Sequence, residues 1–216
     1  MVTILSNTNS LANVFLSELR DKTIQKDGMR FRRNLERLGE IFAYEISKKM
    51  VYEKKEITTP LGISSVNLPI EQPVIATILR AGLPLHQGIL NYFDKGENAF
   101  ISAYRRHHIN EDTFDISVEY LSSPQLDEKE LILCDPMMAS GASMVLVYKA
   151  LKQKGVPKQI HIVSAIASAE GLANVKRNFP DNTRIWIGAV DDEMTAQAYI
   201  VPGLGDAGDL AYGEKF

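Results

Sequence analysis

The sequence predicts an α/β fold: a parallel sheet flanked by helices, with a β-arm protruding from it. Three observations predict it. Apolar runs recur at 73–79, 99–103, 131–134, 160–166 and 184–190, and helical patterns separate several of them at about 84–94, 143–154 and 169–178. Strand and helix signals in alternation imply parallel strands joined by crossover helices. A third segment, 114–121, alternates strictly, with Phe114, Ile116, Val118 and Tyr120 set against Asp115, Ser117 and Glu119. That period belongs to a half-exposed antiparallel strand.

Taken in chain order, residues 1–28 match no recognisable pattern and stand as an extension of unassigned role. From about 29 to 52, Phe31, Leu35, Leu38, Phe42, Ile46 and Met50 fall at three- and four-residue steps, an amphipathic helix that packs on one face of the sheet. Residues 55–68 carry Pro60-Leu61-Gly62 between short polar-apolar runs and read as a hairpin. The run at 73–79 ends at Arg80, and the next, at 99–103, leads through Ala103-Tyr104-Arg105 into a polar stretch from Arg106 to Asp112. With the alternating strand beyond it, this makes a two-stranded arm over about 103–121, placed to act as a lid. Leu131 to Cys134 form a strand buried on both faces. The helix after it stops at Lys154-Gly155, with Pro157 beyond. Neither a repeat nor an interdomain linker interrupts 1–216, so a single domain is expected.

Charge and composition exclude several classes of function. The net charge is −3 and no basic cluster runs longer than Arg105-Arg106, so extended binding to nucleic acid backbone has no electrostatic support. No apolar stretch reaches the ~18 residues of a membrane span, and the N-terminus has no signal-peptide layout. One cysteine permits no internal disulfide and supplies no zinc cluster, in keeping with a reducing, cytoplasmic setting.

The most informative stretch is 131–143, LILCDPMMASGAS. A buried strand ends in Asp135, the chain turns through small residues, and a helical pattern opens at Ser143. Unpaired N–H groups at a helix start favour a phosphate, and Ala139, Gly141 and Ala142 let the main chain approach it. Asp135, at the strand's C-terminal end, is placed to accept hydrogen bonds from a diol. Ser140 and Ser143 can donate to phosphate oxygens; Ser143 can equally serve only as a helix cap. Arg80, also at a strand end, stands where open α/β sheets place ligands. By position alone Arg80 and Arg105 are as well explained as solvated strand-end arginines, and the glycines near the C-terminus as an ordinary turn.

Together these residues resemble the phosphoribosyl diphosphate (PRPP) motif of type I phosphoribosyltransferases, a Rossmann-like family. Most of that family has a second acidic residue where this chain has Pro136. The Asp135-Pro136 pair resembles uracil phosphoribosyltransferases, as do ILRAGL at 78–83 and YIVPGLGDAGD at 199–209. The resemblance, over about 29–216, implies a transferase that converts uracil and PRPP to UMP and diphosphate, a pyrimidine salvage step. It implies PRPP binding by Arg80, Arg105, Asp135, Pro136, Met137, Met138, Ala139, Ser140, Gly141, Ala142, Ser143 and Asp206. It implies uracil binding by Ile200, Gly205, Asp206 and Ala207, with Asp135, Arg80, Arg105 and Asp206 carrying the chemistry. Magnesium is expected as cofactor, held mainly through PRPP. Assembly as a homodimer or homotetramer, and GTP as an effector, also follow from the family, with no nucleic acid or membrane partner. The alternative is a non-catalytic regulator of the same fold that binds PRPP or a nucleotide.

Uracil presents two carbonyls around an N–H, which a stiff glycine-rich main chain can match without side chains. Two positions depart from the family: Ala142, where Gly is usual and which needs φ below zero, and Pro84, which removes an N–H near the diphosphate. Cys134 reads as a core thiol; His86, His107, His108 and His161 stay outside the site.

Overall fold

The computed structural model describes residues 1–107 and 114–214, apart from the side chains at 104–107 and 114–117. In chain order the elements are β1 (Val2–Ile4), α1 (Leu11–Arg20), α2 (Gly28–Ser47), β2 (Tyr52–Thr59), β3 (Gly62–Pro69), β4 (Val74–Leu79), α3 (Leu83–Tyr92), β5 (Glu97–His107), β6 (Phe114–Ser122), β7 (Glu130–Cys134), β8 (Met137–Met138), α4 (Ala142–Leu151), β9 (Gln159–Ser168), α5 (Ala169–Asn178), β10 (Arg184–Asp191), β11 (Glu193–Met194), β12 (Ile200–Val201) and α6 (Ala207–Tyr212).

The central sheet runs β1-β10-β9-β7-β4-β5-β6, with β8 also pairing β9. Every pair is parallel except β5–β6. Strands β4, β7 and β9 are buried along nearly their whole length, as runs of Val, Ile, Leu and Ala covered on both faces must be. One core lies on the side of α1, α2 and α3, around Phe31, Leu35, Phe42, Leu85 and Trp186. The other lies under α4 and α5, around Met144, Val147, Leu151 and Val175. The parallel sheet, the flanking helices and the antiparallel β5–β6 arm agree with the pattern read from sequence.

Three local expectations need correcting. The long helix ends at Ser47 rather than near 52: Met50 is buried but lies past the C-cap at Lys48. Its start is fixed by Asp27, whose carboxylate accepts from the N–H groups of Met29 and Arg30. The helix after the phosphate loop begins at Ala142, and Ser143 does not cap it; the N-cap is Gly141, with φ of 73° and no side-chain cap bond. Residues 1–28 belong to the body of the fold, since β1 adds a parallel strand to β10 and α1 buries Ala12, Leu16 and Leu19. The 55–68 hairpin is present and longer, as β2–β3, with both faces exposed along almost its whole length.

Candidate active site

Parallel strands β4 and β7 lie side by side, β4 running two residues past the end of β7, and most of the sequence-predicted residues converge at these C-terminal ends. A cleft of ≈ 520 Å³ is lined by Asp135, Pro136, Met137, Ala139 and Ser143 on one side. Tyr199, Gly205, Asp206, Ala207 and Gly208 line it on the other. A side chamber of ≈ 130 Å³ joins Arg80 and Ala81 to Asp135, Ser143 and Asp206. A third recess, ≈ 50 Å³, is formed by the 137–144 turn itself. Two segments about 60 residues apart in sequence thus share one cavity, at the strand ends where α/β sheets hold ligands.

Asp135 is half-buried at the floor. Burial pushes its carboxyl up to about 7, against the pull of the Met137 N–H, and the nearby charge of Asp206 adds to the rise. Such a group gains from a ligand that brings hydroxyl donors or a cation. Asp206 is the N-cap of α6: its Oδ1 accepts from the N–H of Gly208 at 2.8 Å and of Asp209 at 3.0 Å.

The phosphate turn is held from α5. Ser168 Oγ donates to the Ala139 carbonyl at 2.6 Å and accepts from the Gly171 N–H at 2.8 Å, while Asn174 Nδ2 donates to the Ser140 carbonyl at 2.8 Å. With those carbonyls turned toward α5, the turn can direct its N–H groups into the recess. A left-handed residue is required at the turn's end, and Gly141 supplies it; Ala142 is already helical, so its methyl group is no obstacle. Pro84 likewise sits in the first turn of α3, where a missing N–H costs no hydrogen bond. Both departures from the family are therefore absorbed by the backbone.

Arg80 leans on the C-terminal segment, its Nη2 donating to the Gly213 carbonyl at 3.1 Å and to Asp209 Oδ1 at 3.4 Å. Its Nε is buried with no acceptor among the described residues, and the residue itself borders the side chamber. The Arg105 backbone is in β5, opposite Ile116 of β6; its side chain lies outside the described residues, as do those of Tyr104 and His107 and all of His108. Ile200 is buried in the core and Met138 is 1% exposed, so either can meet a ligand only through its main chain. Ala81, Ala103, Ala198 and Tyr199 also line the cleft, and sequence reasoning missed them because small residues and a lone tyrosine carry no chemical signature. Ser168 had a signal in the Ser-x-x start of a helical pattern. Cys134 is fully buried and its thiol is pushed up to about 12 by burial, as a core thiol should be. His161 accepts from Trp186 Nε1 at 3.0 Å inside the core.

The uracil phosphoribosyltransferase family model matches residues 6–214. The chain belongs to the uracil phosphoribosyltransferase family. The match reaches well upstream of residue 29, where the sequence resemblance began. Similar family members include the uracil phosphoribosyltransferase of Porphyromonas gingivalis, 56% identical over 98% of this chain and 97% of that protein. That of Methanococcus vannielii is 40% identical over 93% and 85%. Among solved structures, a protein from Aquifex aeolicus superimposes with a TM-score of 0.86 at 30% identity, covering 99% of this chain and 98% of its own. An adenine phosphoribosyltransferase from Trypanosoma brucei, solved with AMP, pyrophosphate and ribose-5-phosphate, shares the fold at a TM-score of 0.55 and 10% identity, over 88% and 83% of the two chains.

Proposed function

We propose that this family member, as a single catalytic domain spanning 1–216, transfers the phosphoribosyl group of PRPP to uracil. Uracil N1 forms a bond to C1 of the ribose, the C1–O bond to diphosphate breaks, and the N1 proton is released, giving UMP and diphosphate. The observation that carries this reading is the shared cleft, in which the 135–143 turn faces the 205–208 main chain.

Asp135 accepts hydrogen bonds from the ribose hydroxyls. The turn from Pro136 through Ser143 wraps the 5'-phosphate with main-chain N–H groups and the hydroxyls of Ser140 and Ser143. Arg80, which borders the side chamber, and Arg105 from the β-arm hold the diphosphate as negative charge grows on it. Ile200, Gly205 and Ala207 read uracil by main-chain groups, and Asp206 faces the reacting N1. No covalent intermediate is needed; positioning and charge stabilisation supply the acceleration. Magnesium fits this residue set. Among the described residues no group of three or more His, Cys, Asp or Glu could cage a metal, but Asp135 and Asp206 both face the cleft. A magnesium ion commonly takes one or two carboxylates, with substrate phosphates and waters for the rest. Bound that way, it would neutralise charge on the leaving diphosphate.

Homodimeric or homotetrameric assembly, a cytoplasmic location and GTP as an effector extend the same reading. Incubating the purified protein with labelled uracil, PRPP and magnesium tests it directly. UMP is the expected product, and binding of PRPP without UMP formation would mark a regulator instead. Cytosine, hypoxanthine and adenine as competitors test base choice, since a slot built for uracil leaves polar groups unpaired against cytosine. Repeating the assay with GTP, alongside sizing by light scattering, tests the remainder.

A further inference from the structure

The base slot is main chain, so its shape depends on whatever fixes that main chain. Between Ile200 and Gly205 in the chain, and behind the cleft lining, Gly203 sits buried with φ of 55°, and a Cβ there would lie 2.1 Å from the Ile200 carbonyl oxygen. Both main-chain groups of Gly203 are tied down. Its N–H donates to Asp191 Oδ2 at 2.9 Å, and its carbonyl accepts from Arg20 Nη1 at 2.9 Å. Arg20 and Asp191 also meet each other as a bidentate pair, Nη1 to Oδ2 and Nη2 to Oδ1, each at 2.8 Å. Asp191 is 8% exposed at the end of β10, and Arg20 closes α1. Burial opposes the charge of Asp191, but the Arg20 and Gly203 donors outweigh it and hold the carboxyl below its ordinary range. Gln25 Nε2 in turn donates to the Arg20 carbonyl at 3.1 Å, tying the end of α1 to the turn that follows it. Neither Arg20 nor Asp191 lines the cleft.

We propose that Arg20 is a positioning residue for base recognition: with Asp191 it locks Gly203 and so sets the spacing of the main-chain groups at 200 and 205–207 that read uracil. The proposal rests on the functional reading above. The planar guanidinium fork holds both carboxylate oxygens and the Gly203 carbonyl in one fixed geometry; a lysine ammonium has three donors but no such fork. Loss of Arg20 also leaves Asp191 buried without its cation, which drives the 191–203 contact to rearrange. The phosphate turn has its own anchors, Ser168 and Asn174, and although Ser168 stands beside Asp191 in the β9–β10 pairing, its bonds to Ala139 and Gly171 do not involve Arg20.

The test is steady-state kinetics of the full chain and its Arg20→Lys, Arg20→Gln and Asp191→Asn variants, varying uracil and PRPP separately. Arg20→Gln is expected to raise KM for uracil about tenfold or more, the equivalent of losing one charged contact, with KM for PRPP within about twofold of the parent. Arg20→Lys falls between, and discrimination between uracil and cytosine narrows in the same order. Purely structural damage would lower the active fraction and leave both KM values in place. The inference is overturned if KM for uracil stays at the parent value in all three variants, or if both KM values rise together. Should Arg20→Gln fail to fold, Arg20→Lys and Asp191→Asn decide by the same criteria. A parent protein that forms no UMP removes the functional reading, and this inference with it, whereas an active parent with unaltered variants removes this inference alone.

Discussion

Burial pushes the Asp135 carboxyl from 3.8 up to about 7, which brings its charge change into the ordinary assay range. A carboxylate can accept from both hydroxyls of a ribose diol, while the neutral acid gives up part of that capacity. If only the ionised form takes PRPP, apparent affinity scales with the ionised fraction, roughly one tenth at pH 6, one half at pH 7 and nine tenths at pH 8. The expected result is a rise in kcat/KM for PRPP of about tenfold between pH 6 and pH 8. Initial rates at limiting PRPP, saturating uracil and constant ionic strength measure it. Asp135→Asn carries no such ionisation, so it should lower kcat/KM throughout and flatten the profile; any slope left in the variant belongs to the substrates. The same slope in both proteins refutes the argument. Stability moves the opposite way. Because the folded pKa lies above the unfolded one, the native state keeps a proton that the unfolded chain has released. Stability in the absence of ligand therefore falls as pH rises from about 4 to about 7 and levels off beyond, by at most about 4 kcal/mol. Thermal melts of the parent should show that decline and Asp135→Asn should not.

Other outcomes can be checked with single substitutions. Gly171→Ala places a Cβ 2.1 Å from the Ala139 carbonyl oxygen and 2.6 Å from that of Met138, pushing the phosphate turn off α5. KM for PRPP is expected to rise about tenfold with KM for uracil little changed, measured by the same kinetics. Gly88→Ala brings a Cβ within 1.9 Å of the Glu36 carbonyl where α3 crosses α2, and should cost about 1–3 kcal/mol or more in denaturant unfolding. Cys134 should resist alkylation in the folded protein at pH 8 and react on unfolding, as a thiol-reagent time course would record.

Much of this architecture was readable in sequence because burial on both faces forces continuous apolar runs, as in β4, β7 and β9. Asp135 and the turn after it were legible for the same reason: the chain switches from a buried strand to a helix across a handful of small residues. The tail from Ile200 to Ala207 was different. Its glycines and aspartate describe any turn, and only the family resemblance gave them a role. The partners of the anchors were not legible, even where, as at Ser168, a helix start was. Arg20 and Asp191 are 171 residues apart, and Ser168 and Asn174 bond to carbonyls some 30 residues upstream, separations that leave no local period. Nor does spacing disclose that Gly141 takes the left-handed position, which moved the helix start one residue ahead of Ser143.

Asp206 has two employments, wall of the cleft and cap of a six-residue helix. A short helix has few other means of starting, so exchanging this side chain to court a different nucleobase would unravel the tail that frames the opening. Divergence toward new bases is thereby steered away from this position and onto neighbours such as Ala198 and Tyr199, whose side chains owe the scaffold less.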